Sequence, residues 1–506
     1  MNYFIGVDVG TTSTKAVLYN THAQVIKQFS QGYELYRDSN GMAEQDPAAM
    51  VAAVEQVIHD AGQEIDFNNE KLLAVSFSSA NQSLILLDDH FQPQSRVITW
   101  ADTRARQAAD RLKRSPLGKQ MYTNTGTPIH PMSPLTKLLW LKETAPERLS
   151  AASYFGDIKS YLFYRFFNTF KVDISIASCT GMMNINSGNW DPTALKITGV
   201  QKNQLPTIVN GTTQAVGLTA AAQAKMGIPA ETPFVYGAFD GALSNLGVGA
   251  IQQDTVAITI GTSAGVRVIT DHPVIDPQER LFCYAVDNGL WVVGGPLNNG
   301  GDVYQWAVQH LVTPSAVANE KTDPFTLANQ VIEGEPAGAN GLIFLPFLGG
   351  ERAPLWDANA RGTFFGLNNL HTRADMLRAV MEGINMNIAT VFTAVRDLVG
   401  HPKSVTATGG FARAEVWRQM LADVLNCPVN IPDSFESGCL GAITMAMKSL
   451  GMVDSLAAVK DFIGDEKSYQ PNPTAVAVYQ QFLPLFQQVE GLLTPAYSTI
   501  AHLQQK

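Results

Sequence analysis

The sequence predicts a mixed α/β protein of two related domains, and three observations support this fold class. The chain has 506 residues, more than one hydrophobic core usually supports, so two large domains are expected. Segments with strand-like and helix-like patterns alternate along the chain. One turn motif also occurs twice, around Gly10 and around Gly261. The repeat predicts two halves of similar structure.

In both copies of the motif an apolar strand runs into a Gly-Thr pair and a second apolar strand leaves it, which is typical of a hairpin with a tight turn. Glycine lets backbone N–H groups approach a phosphate, and the neighbouring hydroxyls donate further hydrogen bonds to its oxygens. The first copy also carries Asp8 in its apolar strand, where an unpaired carboxylate is costly, whereas the second has Thr259. Together the two copies predict a clamp on one Mg2+-nucleotide, with one acidic and one neutral side.

The first half begins with three strands and a helix. Asp46 is the predicted N-cap of this helix, Pro47 its first residue and Gly62 its end. Strands are predicted at 3–9, 15–19, 23–29, 72–77 and 83–87. Between 100 and 235 the chain has helical stretches at 135–143 and 158–167 among Gly-, Pro- and Asn-rich loops. We expect this segment to be an insert that faces the acceptor substrate.

The second half begins where the pattern resets, near 246–254, which predicts a domain boundary between residues 248 and 249. A glycine-rich loop at 294–301 precedes a helix at 304–311, and a capping box at Thr372 precedes a helix at 373–398. A strand then enters the double-glycine turn at 409–410, and a further helix follows. Strand, glycine turn and helix N-terminus predict a third cradle for the nucleotide.

Composition excludes several classes of protein. The formal net charge of −10, with no basic run, argues against a nucleic-acid partner. The four cysteines are far apart and form no CxxC pair, which favours a reducing cytoplasm over a disulfide framework or a zinc site. No uncharged apolar run reaches the roughly 18 residues of a membrane span, and the N-terminus lacks the basic region of a signal peptide. We therefore expect a soluble cytoplasmic protein.

Asp240 is the predicted catalytic residue. It ends an apolar strand and is flanked by small residues that leave room for a ligand. As a general base it would take the proton of an acceptor hydroxyl that attacks the γ-phosphorus, a contribution of about 10²- to 10⁴-fold. The alternative is an N-cap of a helix beginning near Ala242. The phosphate turns favour catalysis, because phosphoryl transfer needs an acceptor base beyond positioning and charge neutralisation.

Other polar residues are candidates for the acceptor site, each with a structural alternative. Trp100 and Asp102 offer a flat ring and an acid for hydroxyl groups, although this stretch alone suggests a surface helix start. His130 lies in a loop with two prolines, and a lone histidine is more often structural. Arg352 follows Glu351, and the two charges could satisfy each other. Lys159 would ordinarily be a solvated helix residue.

These motifs resemble the FGGY carbohydrate kinases over roughly residues 3–450. The most specific match is the stretch 362–367 followed by 375–376 and 379–382, which fits the C-terminal signature of the family. The stretch 132–141 resembles the N-terminal signature, from which Thr144 departs at the edge. The resemblance implies two actin-like, RNase H-like domains that close on Mg2+-ATP and a sugar. Residues 1–248 would bind sugar and metal, and residues 249–506 the nucleotide.

The resemblance also implies roles for individual residues. Asp8 would hold Mg2+ through water, and Asp240 would serve as base and lie at the metal. Nucleotide contacts would come from Gly10, Thr11, Thr12, Ser13, Lys15, Gly261, Thr262, Gly301, Gln305, Gly409, Gly410 and Ala414. Substrate contacts would come from Asn81, Gln82, Trp100, Asp102, His130, Lys159, Asp240 and Arg352.

Separate stretches of the sequence bear on the identity of the acceptor. The stretches 99–102, 126–132, 158–161 and 294–301 look most like the family members that phosphorylate gluconate. However, Asn81-Gln82 stands where xylulose and gluconate kinases usually carry a Met-His pair, and glutamine cannot become a cation. We expect ATP-dependent phosphorylation of the terminal hydroxyl of D-gluconate, with His130, Lys159 or Arg352 meeting its carboxylate. The alternatives are a kinase of xylulose or another neutral ketose or polyol, and a non-enzymatic actin-like ATPase. The expected partner is a small sugar or sugar acid, and a homodimer is compatible with the resemblance.

Overall fold

The computed structural model describes residues 1–312, 323–432 and 437–504. The first half contains fifteen strands and ten helices. Its strands are β1 (Asn2–Val9), β2 (Ser13–Asn20), β3 (Val25–Gly32), β4 (Leu35–Arg37), β5 (Ala43–Gln45), β6 (Lys71–Ser79), β7 (Ile85–Leu87), β8 (Val97–Ile98), β9 (Tyr154–Gly156), β10 (Lys171–Asp173), β11 (Met183–Asn184), β12 (Asn189–Trp190), β13 (Thr207–Val209), β14 (Gln214–Ala215) and β15 (Phe234–Phe239). Its helices are α1 (Pro47–Gly62), α2 (Arg106–Arg114), α3 (Pro116–Thr125), α4 (Pro134–Thr144), α5 (Pro146–Ala151), α6 (Ile158–Phe167), α7 (Ile174–Cys179), α8 (Pro192–Thr198), α9 (Ala220–Met226) and α10 (Asp240–Gly247).

The second half continues this alternation. Its strands are β16 (Thr255–Ile260), β17 (Ala264–Thr270), β18 (Phe282–Asp287), β19 (Leu290–Leu297), β20 (Ile343–Leu345), β21 (Thr363–Phe365), β22 (Ser404–Thr408), β23 (Val429–Pro432) and β24 (Glu466–Tyr469). Helices in the described part are α11 (Gly301–Leu311), α12 (Pro324–Gly334), α13 (Arg373–Val399), α14 (Glu415–Leu425), α15 (Ser437–Ser449) and α16 (Pro473–Gln504). β24 pairs antiparallel with β23.

Two central sheets share one strand plan. The first has the order β14-β15-β6-β1-β2-β3 and the second β18-β19-β17-β16-β22-β23-β24. In each, the hairpin that carries the turn motif is extended on one side by an antiparallel strand, β3 or β19. On its other side lie two parallel strands, β6 and β15 or β22 and β23. The shared plan confirms the prediction of two related α/β domains.

Local sequence signals explain the helix boundaries. The Asp46 carboxylate accepts a hydrogen bond from the backbone of Ala48, Pro47 is the first residue of α1, and Gly62 is its last. Thr372 and Asp375 form both hydrogen bonds of a capping box at the start of α13. These caps satisfy N–H groups that a helix start leaves without partners. The predictions for α1 and α13 are confirmed.

Helix α15 comes from the second half of the sequence but packs on the first sheet and against α10. The contact is close at Gly6 of β1, where a Cβ atom would lie 2.8 Å from the carbonyl oxygen of Cys439. The predicted boundary at 248/249 lies between the two copies of the turn motif. The N-terminal domain, called the first lobe below, nevertheless packs against a helix from the second half of the sequence. None of the helices in the described ranges has both the length and the apolar character of a membrane span.

Candidate active site between the two lobes

A cavity of about 170 Å3 lies between the lobes, and both contribute to its lining. The first wall, from the N-terminal half, comprises Thr11, Asn81, Gln82, Trp100, Met132, Phe239, Asp240 and Gly241. The second wall comprises Ser263, Ala264, Arg267, Phe282, Tyr284, Pro296 and Arg352. Each wall thus includes part of one copy of the turn motif. The predicted insert supplies Trp100 and Met132, so it does face this cavity.

The first phosphate turn is coupled to the cavity by hydrogen bonds. The backbone N–H of Gly10 donates to the carbonyl oxygen of Ser13 at 3.0 Å, which closes the turn. The indole Nε1 of Trp100 donates to the hydroxyl of Thr11 at 3.0 Å. At the end of β1, the Asp8 carboxylate accepts a hydrogen bond of 2.7 Å from the Ser78 hydroxyl. The hydrogen bond from Trp100 therefore links the first turn to the cavity, which both residues line.

Asp240 stands where the first wall meets the second. It is the first residue of α10, and its carboxylate accepts a hydrogen bond of 2.6 Å from the backbone of Gly241. The Asp240 side chain lines the cavity and is accessible to solvent. Partial desolvation by the cleft walls raises the pKa of Asp240 to about 6, and the charge of Asp8 acts in the same direction. The N-cap alternative is wrong, because the cap position belongs to Phe239.

Two arginines define the second wall. The Arg352 guanidinium lies 5.1 Å from the centre of the Trp100 ring and donates from Nη2 to the carbonyl oxygen of Leu297 at 3.0 Å. Arg267 lies on β17, four residues after Ser263. Arg267 Nη1 and Arg352 Nε are buried and have no hydrogen-bond acceptor among the described residues. Burial lowers the pKa of Arg267, and it lowers the pKa of Arg352 to about 10.

The alternative that the charges of Glu351 and Arg352 satisfy each other holds only in part: the charge of Glu351 raises the pKa of Arg352, but no hydrogen bond joins its carboxylate to the guanidinium. The buried carboxylate of Glu351 accepts hydrogen bonds from the backbone of Asn298 at 2.6 Å and of Arg352 at 2.7 Å. It also accepts from the side-chain amides of Asn299 at 2.9 Å and Asn387 at 2.6 Å. Burial raises the pKa of Glu351. Glu351 thus fixes the backbone of Arg352 and leaves its guanidinium directed elsewhere.

Five of the predicted substrate residues line the cavity: Asn81, Gln82, Trp100, Asp240 and Arg352. Gln82 connects the lobes, because its Nε2 donates to the hydroxyl of Tyr284 at 3.1 Å. Asn81 Nδ2 lies 3.4 Å from the Cys179 sulfur. Both amide side chains therefore contact the protein at the position where xylulose and gluconate kinases were expected to carry a Met-His pair.

Asp102 and Lys159 do not line the cavity, and both predictions require correction. Asp102 is buried and accepts hydrogen bonds from Arg104 Nε at 3.0 Å and from the backbone of Ala43 at 3.0 Å. Lys159 is buried and forms an ion pair of 2.6 Å with Asp173. A charged side chain at such depth needs a charged partner, and in both cases that partner is internal.

Lys159 stabilises the strand that precedes Asp240. Its Nζ donates to the carbonyl oxygens of Tyr236 at 3.0 Å and Ala238 at 3.3 Å, on the strand that leads into Asp240. His130 also lies outside the cavity lining, against the ring of Trp356. Burial lowers the pKa of His130 to about 3, and the charge of Arg352 adds to this effect. His130 is therefore neutral at physiological pH and is not the predicted cation for a carboxylate.

Sequence reasoning missed two residues of the site. Lys137 is fully buried, and its Nζ donates to the carbonyl oxygens of Gln82 at 2.6 Å, Met132 at 2.8 Å and Ile98 at 3.4 Å. Burial lowers its pKa to about 7. It lies in the N-terminal signature, which was the available signal. For Arg267 the signal was its position as the sole charged residue of an apolar strand.

The three predicted nucleotide loops meet at one edge of the second sheet. β16 and β22 are parallel, with Thr259 beside Thr408, so the turns that follow them open on the same side. The N–H of Gly301, at the start of α11, donates to the carbonyl oxygen of Gly261 at 2.7 Å. Gly409 has a φ of +111°, which favours glycine. Gln305 lies on the exposed face of α11, and Ala414 directly precedes α14.

The residues around the first turn fit a divalent cation held together with a nucleotide. In the described part of the chain no group of three or more His, Cys, Asp or Glu side chains could hold a metal by itself. Mg2+ typically binds through one or two carboxylates plus waters and substrate phosphates. Asp8 and Asp240 provide two carboxylates, and after desolvation their mutual repulsion is the next cause that raises the pKa of Asp240. A cation at this place would relieve that repulsion.

The chain matches the sequence model of the FGGY family of carbohydrate kinases, N-terminal domain, over residues 3–247, and that of the C-terminal domain over residues 256–450. A gluconokinase of Bacillus subtilis (strain 168) is 41% identical over 508 residues, covering 100% of this chain and 98% of that protein. A xylulose kinase of Staphylococcus epidermidis (strain ATCC 35984) is 27% identical, covering 96% of each chain.

Two solved structures from Lactobacillus acidophilus have the same fold as this chain. The structure of a gluconate kinase has a TM-score of 0.94 and 38% identity, covering 99% of both chains. The structure of a ligand-bound xylulose kinase has a TM-score of 0.94 and 39% identity, covering 99% of this chain and 100% of that one.

Proposed function

Because this chain belongs to the FGGY family of carbohydrate kinases, we propose that it transfers the γ-phosphate of ATP to the terminal hydroxyl of D-gluconate. The family membership excludes the non-enzymatic ATPase that the turn motif alone left open. The substrate assignment rests on one observation: the base candidate Asp240 faces a cavity that also holds the guanidinium groups of Arg267 and Arg352. The similarity to a gluconokinase and a gluconate kinase supports the same acceptor.

The proposed chemistry begins with proton transfer to Asp240. Because the pKa of Asp240 is about 6, its carboxylate is ionised at neutral pH and can accept the proton of the acceptor hydroxyl. The oxygen then bonds to the γ-phosphorus as the bond from that phosphorus to the bridging oxygen breaks, and ADP leaves. Asp8 and Asp240 would hold Mg2+, whose charge would partly neutralise the phosphates. The reaction depends mainly on how this chain positions the two substrates.

We assign the nucleotide to the loops that meet around the cleft. The transferred phosphate would lie at the first turn, against Gly10, Thr11, Thr12 and Ser13, with Lys15 on the adjacent strand. The remaining phosphates and the nucleoside would lie along the second sheet, against Gly261, Thr262, Gly301, Gln305, Gly409, Gly410 and Ala414. Backbone N–H groups at helix starts and glycine turns can contact phosphates without a side chain, which suits loops with so many glycines.

Xylulose is the second candidate acceptor, because a xylulose kinase of solved structure is 39% identical to this chain. A neutral ketose could use the amides of Asn81 and Gln82. It would, however, leave Arg267 and Arg352 facing a bound ligand without negative charge. Asp240 attracts both cations, but Arg267 Nη1 and Arg352 Nε would remain buried donors without an acceptor among the described residues. Leaving such donors unused is costly, and this favours the acid.

A coupled assay of ADP release with D-gluconate, D-xylulose, D-ribulose and glycerol tests the proposal. We expect the highest kcat/KM for gluconate, and 31P NMR of the product should show a phosphate on the terminal oxygen. A kcat/KM for xylulose well above that for gluconate would contradict the acceptor assignment and leave the reaction type intact.

A further inference from the structure

Arg267 occupies a place on the second wall that two glycines keep open. A Cβ atom on Gly265 would lie 2.7 Å from Arg267 Nη2, and one on Gly241 would lie 2.8 Å from Arg267 Nε. Gly241 directly follows the base Asp240. The Arg267 side chain, although part of the second wall, therefore lies against the start of α10, and a larger residue at either glycine would displace it.

The charges around Arg267 leave room for an anion. Asp240 is the acidic group near the Arg267 guanidinium. Arg352 is a second cation nearby, and the charge of Arg267 lowers the pKa of Arg352. Glu351 accepts four hydrogen bonds, none of them from a guanidinium, so its charge raises the pKa of Arg352 without occupying the guanidinium donors. Arg267 Nη1 and Arg352 Nε are buried N–H groups with no acceptor in the described ranges. Two adjacent guanidiniums with unused donors are a suitable site for a carboxylate.

We infer that Arg267 and Arg352 together bind the carboxylate of the acceptor, and that Arg267 makes this site select sugar acids over neutral polyols. The inference rests on the proposed function and assigns the recognition of charge within that same site. Trp100, under the Arg352 guanidinium, would border the carbon chain. A planar, permanently charged side chain is required here, because lysine would supply charge without the paired N–H donors.

The main competing role for Arg267 is contact with the transferred phosphoryl group, since Ser263 of the second turn lines the same cavity. The two roles predict different measurements. A carboxylate contact acts on the binding of gluconate in the absence of nucleotide. A phosphoryl contact acts on kcat at saturating gluconate and leaves that binding unchanged.

The test is calorimetric binding of D-gluconate and of D-glucitol, in which CH2OH replaces the carboxylate, to the protein without nucleotide. The variants are Arg267→Met, Arg267→Lys, Arg352→Met and, as a matched control on exposed α5, Arg148→Met. We expect Arg267→Met to weaken gluconate binding by about 10- to 100-fold, as for loss of a charge-assisted hydrogen bond, with little change for glucitol. Arg267→Lys should fall between the wild type and Arg267→Met, and Arg148→Met should behave as wild type.

Two outcomes would overturn the inference. One is unchanged gluconate binding in Arg267→Met with a reduced kcat, which would assign the residue to the phosphoryl group. The other is an equal loss for gluconate and glucitol, which would indicate a structural role; if Arg267→Met does not fold, Arg267→Lys decides between them. Wild-type turnover separates this inference from the proposed function. If the wild type prefers gluconate but the variants keep that preference, only the role of Arg267 fails.

Discussion

The two walls of the cavity are built on the same strand plan but carry opposite charges. The first hairpin pairs Asp8 with Lys15 across its strands, and the equivalent pair of the second hairpin is Thr259 and Gly265. Opposite Ala257, the second hairpin has Arg267, where the first has the buried Val17 opposite Gly6. The second hairpin thus adds the cation Arg267 where the first has an apolar residue, and with Asp240 on the first wall this polarises the cleft.

This difference suggests a division of labour between the lobes. With Asp240, and with Asp8 near enough to raise its pKa, the first wall suits a cation and a proton acceptor. The second wall, with Arg267 and Arg352, suits an anionic acceptor. Gly265, which has no side chain, leaves space for the Arg267 guanidinium. The experiments below alter one wall at a time.

The largest effect is expected from the acidic wall. Asp240→Asn should reduce kcat by about 10²- to 10⁴-fold, because an amide cannot accept the hydroxyl proton. Nucleotide binding, measured by calorimetry, should remain close to wild type. Asp271→Asn, at an exposed site, is the control and should keep full activity. A nearly normal kcat in Asp240→Asn would show that another group is the base.

The next effect concerns the framework under the first wall. Lys137→Met should lower the free energy of unfolding by about 1–3 kcal/mol, because it leaves buried carbonyl oxygens without donors. KM for gluconate should rise, since Gln82 and Met132 lose their common anchor. Urea unfolding and initial rates measure the two effects. Lys142→Met on the same helix, where Nζ is exposed and contacts one carbonyl, is the control. Unchanged stability and KM would remove Lys137 from the account.

A smaller effect should follow from filling the space beside Arg267. The Cβ atom of Gly265→Ala would meet the Arg267 guanidinium alone. It should therefore raise KM for gluconate several-fold, roughly the effect of losing one ordinary hydrogen bond, and leave kcat nearly unchanged. Gly464→Ala is the control, because nothing lies within 4 Å of its Cβ position. If Gly265→Ala lowers kcat instead, Arg267 acts on the transferred group.

The smallest effect is expected at His130, on the first lobe. Its pKa is lowered from 6.5 to about 3, so the folded protein keeps it neutral throughout pH 5–9. The preference for gluconate over glucitol should therefore show no titration near pH 6.5, and His130→Gln should retain that preference. Binding measured at pH 5.5 and 7.5 checks both points. A preference that falls as pH rises through 6.5, and vanishes in His130→Gln, would restore histidine as the cation.

Local patterns predicted the elements whose signals lie within a few residues. The twin turns, the caps of α1 and α13, and Asp240 at the end of an apolar strand all belong to this group. The structure has these elements at the predicted positions. The roles of the individual site residues stay predictions.

Burial and long-range pairing could not be predicted in the same way. Asp102 and Lys159 looked available until the fold placed Arg104 and Asp173 against them. Arg267 was not among the predicted site residues, because the contacts of its guanidinium depend on Gly241, which is distant in sequence. Such assignments need the tertiary structure.

A crystal structure with D-gluconate and ADP bound would test the polarised cleft most directly. The account predicts the gluconate carboxylate within hydrogen-bond distance of the Arg267 and Arg352 guanidiniums, and the terminal hydroxyl within hydrogen-bond distance of the Asp240 carboxylate. A gluconate bound with its carboxylate away from both arginines, or with no hydroxyl at Asp240, would contradict it.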